Sequence, residues 1–218
     1  MPTNNANFST RQAMGQFSLF DTEEFVKDEI FIFFDTETNG LPYNFNAPIT
    51  EVDNWPRLIQ LAWIQADAQQ NEISRGNYLI FPENFYIYES VHGITNDKAV
   101  KEGHDLLEVL KIFAEVVKGS TVLVAHNISF DDKIMGAEFI RKGLPNPMKE
   151  LNRLCTMEST VDYVAIKSGN RNKFPKLEEL HTKIFGQGFE GAHDAMNDVA
   201  AMARCFWELK KNNIVSLY

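Results

Sequence analysis

The chain has 218 residues, 44% of them hydrophobic and 23% charged, with a formal net charge of −9 at pH 7. That length buries a full core without staples, and two cysteines, Cys155 and Cys205, with no C-x-x-C pair exclude a disulfide scaffold or a zinc module and fit a reducing, cytoplasmic setting. No apolar run approaches the ~20 residues that cross a bilayer, so no membrane partner is expected, and the acidic balance argues against a broad basic face on long nucleic acid while allowing action at an end.

Residues 1–28 read as a mobile arm, polar and Asn-rich, without a charged-then-apolar signal pattern. Residues 29–218 read as one folded domain. Ile30 to Phe34 is a continuous apolar run, the pattern of a strand covered on both faces. It runs into Asp35-Thr36-Glu37-Thr38-Asn39-Gly40, where carboxylates meet a turn. Leu58–Ile64 and Ile73–Phe81 are two further strands, close enough to pair as an antiparallel hairpin. Between Asp105 and Val117, Leu106, Leu107, Val109, Leu110, Phe113, Val116 and Val117 form a helical stripe that Gly119 stops. Thr121–Ala125 is a buried strand, Ser129 is the expected cap of a helix ending near Gly143, and Leu154 begins a short fifth strand. Helices follow near Val161, from Leu177 to Phe185 and from Asp194 to about Lys211. A hairpin start followed by alternating strands and helices gives an α/β class with a mixed central sheet of about five strands flanked by helices.

Strand alternation puts Asp35 and Glu37 on one face at the carboxyl end of the first strand. Asp131 falls in the first turn of the helix after the Thr121 strand, and Asp198 one turn into the last helix, just after His193. Ligands of open α/β sheets gather beyond the carboxyl ends of the strands. Clustered carboxylates raise one another's pKa and need a counter-ion. Oxygen donors without Cys or paired His suit Mg²⁺ or Mn²⁺ rather than zinc. Taken singly, each of these acids would pass for one surface carboxylate among thirty.

Taken together, Phe34-Asp35-Thr36-Glu37-Thr38-Asn39-Gly40, His126-Asn127-Ile128-Ser129-Phe130-Asp131 and His193-Asp194-Ala195-Met196-Asn197-Asp198 resemble the three exonuclease motifs of the DEDD superfamily. Their order and separation are similar to those of the DnaQ-like 3′–5′ exonucleases, relatives of the proofreading subunit of bacterial DNA polymerase III. The His-x-x-x-x-Asp form of the third motif resembles the histidine branch, because Asp194 stands where the other branch carries Tyr. The resemblance implies a ribonuclease H-like fold and hydrolysis with two divalent ions, Mg²⁺ or Mn²⁺. Asp35 would bridge both ions, Glu37 and Asp198 would hold the nucleophile-side ion, and Asp131 would support the second. His193 would take the proton from the attacking water. Asp194 suits the N-cap of the last helix, which leaves His193 on a loop, and histidine changes charge near neutral pH. The partner implied is the 3′ end of a nucleic acid, DNA before RNA, released as nucleoside 5′-monophosphates.

By the same resemblance, Thr38, Leu41, His92, Asn127 and Phe130 are expected to bind substrate, Leu41 as a wedge between the last two bases. Each has a local alternative: His92 could cap the helix that starts at Thr95, and Phe130 could be core. The segment from Ile166 to Lys176 carries four cations and no acid. It reads as a loop that is either solvated or a phosphate-steering edge. In the arm, Gln16-Phe17-Ser18-Leu19-Phe20 resembles the pentapeptide that docks bacterial proteins on the sliding clamp, with Phe17 departing from Leu at the second position. Cys155, Met157, Phe206 and Trp207 are expected to pack. Two other readings stay open at this stage: an exoribonuclease trimming RNA ends or short oligonucleotides, and an accessory subunit that docks a polymerase or clamp.

Overall fold

The computed structural model describes residues 29–88 and 92–216. The clamp-like segment at Gln16, Phe17, Ser18, Leu19 and Phe20 lies outside the described residues, as does the rest of the expected arm.

Five strands form one sheet in the order β3-β2-β1-β4-β5: β1 is Ile30–Thr38, β2 Leu58–Asp67, β3 Glu72–Leu79, β4 Val122–Ala125 and β5 Asn152–Cys155. β1–β2 and β2–β3 pair antiparallel, whereas β1–β4 and β4–β5 pair parallel. This is the mixed sheet expected from the sequence. Seven α-helices surround it among the described residues: α1 Asn96–Glu102, α2 Leu106–Lys118, α3 Ile128–Arg141, α4 Thr156–Ser159, α5 Val161–Val164, α6 Leu177–Phe185 and α7 Ala195–Lys211.

β1 is central because Phe31, Ile32, Phe33 and Phe34 are all fully buried. Phe31 and Phe33 meet Phe206 and Trp207 of α7 at ring-centroid distances of 5.1–5.6 Å. Phe34 meets Phe113 of α2 from the other face at 5.9 Å. Burying each such side chain is favourable by roughly 1.5–3 kcal/mol, so α7 and α2 are fixed to opposite faces of the same strand. Asp105 caps α2 by accepting from Glu108 N–H, and Gly119 closes it.

Four local departures bear on the site. β1 continues four residues past Phe34, because its backbone stays paired with β2 through the carboxylates. The cap of α3 is Asn127 in the left-handed region (φ 73°), with Ser129 already inside the helix, contrary to the expected Ser129 cap. The basic loop contains a small hairpin, β6 Lys167–Ser168 and β7 Arg171–Asn172. The β1–β2 register also shifts between Glu37 and Thr38, which face Gln60 and Leu58 and leave Ile59 without a partner on β1. Ile59 is fully buried in a second small core with Ile87, Ile94 and Ala99. A bulge of this kind bends the ladder beside the second carboxylate.

Candidate active site

The alternation that sends Phe31 and Phe33 onto α7 carries Asp35 and Glu37 to the same side, where α7 presents Asp198. One carboxylate oxygen from each of Asp35, Glu37 and Asp198 lies within 4.8 Å of the others. Asp131, in the first turn of α3, is 3% exposed. Its Oδ1 accepts from Thr36 N–H at 3.0 Å and Thr36 Oγ1 at 2.7 Å, which pins α3 to β1.

The electrostatics are those of an uncompensated anionic cluster. Burial, followed by the charges of Asp131, Asp198, Glu37 and Asp194, holds the Asp35 carboxyl well above the usual range. Burial and then Asp198, Asp131 and Asp194 push Glu37 up to about 8. Burial outweighs the two Thr36 hydrogen bonds and takes Asp131 to about 7. Asp198 rises to about 6, again chiefly through burial and partly offset by the hydrogen bond from His193. Asp198 Oδ1 is buried without a hydrogen-bond partner. An all-oxygen donor set, an orphaned carboxylate oxygen and mutually raised acids fit a hard divalent cation.

His193 stands outside α7 in the left-handed region (φ 70°), exposed, with its backbone N–H donating to Asp198 Oδ2 at 3.3 Å. For a non-glycine residue that conformation costs of order 1–3 kcal/mol and persists only where its surroundings dictate it. They do so here. Asp194 caps α7 by accepting from Met196 and Asn197 N–H, both at 3.1 Å, and Asn197 Nδ2 donates back to Gly191 O at 3.2 Å. Gln60 of β2 donates to Asp194 Oδ2 and accepts from Ala195 N–H. The expected cap is therefore present, and Gln60 was not legible in the sequence because a glutamine inside an apolar strand carries no motif.

Around the acids, Thr38 Oγ1 donates to Gly40 O at 2.7 Å, and Asn39 exchanges backbone and side-chain bonds with Arg57. These bonds shape the turn from which Leu41 projects, 74% exposed. Asn127 is exposed at the mouth of α3, whereas Phe130 is half-buried and packs against the main core. His92 accepts from Ile94 N–H through Nδ1 at 2.9 Å. The cap of α1 is Thr95 itself, which accepts from Lys98 N–H. The structure thus brings Asp35, Glu37, Asp131, Asp198 and His193 together; Phe130 packs as its alternative anticipated, whereas His92 bonds within its own turn and does not cap α1.

Comparison with known proteins agrees with this fold. The RNase_T family model, described as "Exonuclease", matches residues 32–206. PolC-type DNA polymerase III of Lactococcus lactis is 29% identical over 204 residues, 88% of this chain, and that of Streptococcus thermophilus is 30% identical over 186 residues, 82% of this chain. The chain spans about a ninth of those relatives, 11% of each. Among solved structures, E. coli Exonuclease I in complex with a dT13 oligonucleotide superposes with a TM-score of 0.67 at 22% identity, covering 84% of this chain and 41% of that one. S. pombe Pop2p in its Mg²⁺- and Mn²⁺-bound form gives a TM-score of 0.57 at 16% identity, covering 83% and 82%. These two likenesses establish the fold. Among the described residues, no helix is long and apolar enough to cross a membrane.

Proposed function

The chain belongs to the RNase_T exonuclease family, a DnaQ-like group, and on that premise we propose that residues 29–218 act as a 3′–5′ exonuclease of the histidine type on single-stranded or frayed DNA. The observation that carries the reading is the meeting of Asp35, Glu37 and Asp198 within 4.8 Å, beside a histidine held outside its helix. The DNA preference is supported by the DNA polymerase relatives and by the oligonucleotide-bound Exonuclease I structure.

In this reading Asp35, Glu37, Asp131 and Asp198 are the residues that would hold two divalent ions. Bound Mg²⁺ or Mn²⁺ supplies charge stabilisation to the attacking and leaving oxygens of a phosphoryl displacement. The chain's own contributions are positional and acid–base. The turn at Thr38–Leu41 and the exposed Asn127 orient the terminal nucleotide, and His92 and Phe130 border it. A ring nitrogen of His193 accepts a proton from the water. The water oxygen bonds to phosphorus, the P–O3′ bond breaks with its electron pair going to O3′, which takes a proton from solvent, and the products are a nucleoside 5′-monophosphate and a strand one nucleotide shorter with a new 3′-hydroxyl.

The test is degradation in Mn²⁺ of single-stranded DNA labelled at either end, beside matched RNA, with an Asp35→Ala, His193→Ala double variant as control. Stepwise loss from the 3′ end of DNA, absent in the variant, is expected. Digestion of RNA alone moves the assignment to an exoribonuclease, and no digestion of either overturns it.

A further inference from the structure

The segment 166–176 carries Lys167, Arg171, Lys173 and Lys176 and no acid, in a chain of net charge −9. Its hairpin turns at Gly169, φ +60°, and pairs Lys167 with Asn172 and Ser168 with Arg171. Neighbouring residues of a strand point to opposite faces, so Lys167 and Arg171 leave the ribbon on opposite sides, both exposed. Among the described residues Lys173 pairs with Glu179 at 2.6 Å, whereas Lys167, Arg171 and Lys176 make no ion pair.

The ribbon does not hang free of the site. Lys173 N–H donates to Ile166 O and closes its base. The Pro175 carbonyl lies 2.9 Å from His126 Nε2, and His126 Nδ1 lies 3.0 Å from Thr156 Oγ1. Burial lowers the His126 pKa, so the ring is neutral with one N–H. A carbonyl only accepts, so that proton sits on Nε2, and Nδ1 accepts from the Thr156 hydroxyl. His126 adjoins Asn127 in the second motif, and this bond therefore fastens the hairpin's base to the mouth of the acid cluster. A cleft of about 440 Å³ whose walls include His193 and Asp198 also includes Phe174, Pro175 and Lys176. Phe174 is 59% exposed.

From this placement we propose that the β6–β7 hairpin and Phe174 form the track for the single strand beyond the nucleotide being removed, the strand crossing the ribbon's edge so that Lys167 and Arg171 take its phosphates from either side, with Phe174 under a base. The proposal rests on the exonuclease reading. An acidic protein that grips a polyanion needs a local positive edge, and single-strand binders combine such an edge with an aromatic face.

The test separates the two claims. Fluorescence anisotropy of a short labelled oligothymidylate in EDTA, across a potassium chloride series, compares the wild type with a Lys167→Gln, Arg171→Gln variant and with Phe174→Ala. Loss of two phosphate contacts on a single strand should reduce the slope of log Kd against log salt by about 1.4, and loss of the stack should weaken Kd about tenfold. Hydrolysis of thymidine 5′-monophosphate p-nitrophenyl ester, too short to reach the hairpin, should keep its kcat/KM in the Lys167→Gln, Arg171→Gln variant. Unchanged salt slope and affinity overturn the track. A wild type that hydrolyses neither ester nor strand overturns the exonuclease reading instead, and the anisotropy still decides the track.

Discussion

Glu138 is fully buried, and no exonuclease motif calls for an acid there. It follows Asp131 by seven residues, about two turns of α3, so the two acids share a helix face. Glu138 Oε1 accepts from Arg57 Nε at 2.9 Å and from Leu58 N–H at 3.0 Å, with Arg141 Nη1 at 2.9 Å. Arg57 in turn stacks over Phe85 at 4.7 Å and trades backbone bonds with Asn39. Asp131 thus fastens α3 to β1, and Glu138 fastens it to the entry of β2 and to the turn that carries Leu41. Removing one partner of a buried pair strands the other charge, at a cost of about 3–5 kcal/mol. Denaturant unfolding of Glu138→Ala should show a loss of that size. Glu115→Ala, which removes an exposed partner of Lys118, should change stability by less than about 1 kcal/mol. Equal effects at the two sites would deny Glu138 its clamping role.

The N-terminus of α7 is where one element organises the site. Asp194 satisfies two of its free N–H groups, is held by Gln60 of β2, and keeps His193 in its strained conformation next to Asp198. Asp194→Ala should cost about 1 kcal/mol of stability from the lost cap and lower nuclease activity as the His193 turn loosens. Asp194→Asn retains a capping oxygen and should recover most of the stability; if it melts as low as the alanine variant, the cap is not what holds the turn. This element was legible beforehand, because a capping Asp before an apolar stripe is a local signal. So were the Ile30–Phe34 strand and the Gly119 stop. What local pattern could not reveal was set by pairing across the sheet. The extension of β1 through Asp35–Thr38 is held by β2, and the bulge at Ile59 accompanies that residue's burial against Ile87, Ile94 and Ala99. The β6–β7 hairpin is too short and polar to show a period of two. The acids themselves were readable only as a set of three motifs, and the partnerships of Gln60, Arg57 and His126 were not readable, since each joins segments far apart in the chain.

At the scale of the whole molecule, the acid cluster makes stability, protonation and metal binding one linked equilibrium. Asp198, Asp131 and Glu37 have carboxyls raised to about 6, 7 and 8, and Asp35 is raised as well. Unfolded, these groups lose their protons near pH 4, so between about pH 4 and pH 8 the folded chain holds more protons than the unfolded one. Stability then falls as pH rises through that window, and the repulsion adds to that of a net charge of −9. A divalent cation binds the deprotonated cluster, releases those protons and reverses the trend. A cation present at a hundred times its Kd stabilises the folded chain by about 2.7 kcal/mol. Thermal melts in Mg²⁺ or Mn²⁺ against EDTA should therefore show a Tm gain larger at pH 8 than at pH 6. Asp35→Asn, which removes one negative charge from the centre of the cluster, should raise the Tm in EDTA at pH 8 and lose most of the metal-dependent gain. A gain independent of pH, or one that survives Asp35→Asn intact, would mean that the stabilising cation binds somewhere other than the Asp35, Glu37, Asp198 cluster.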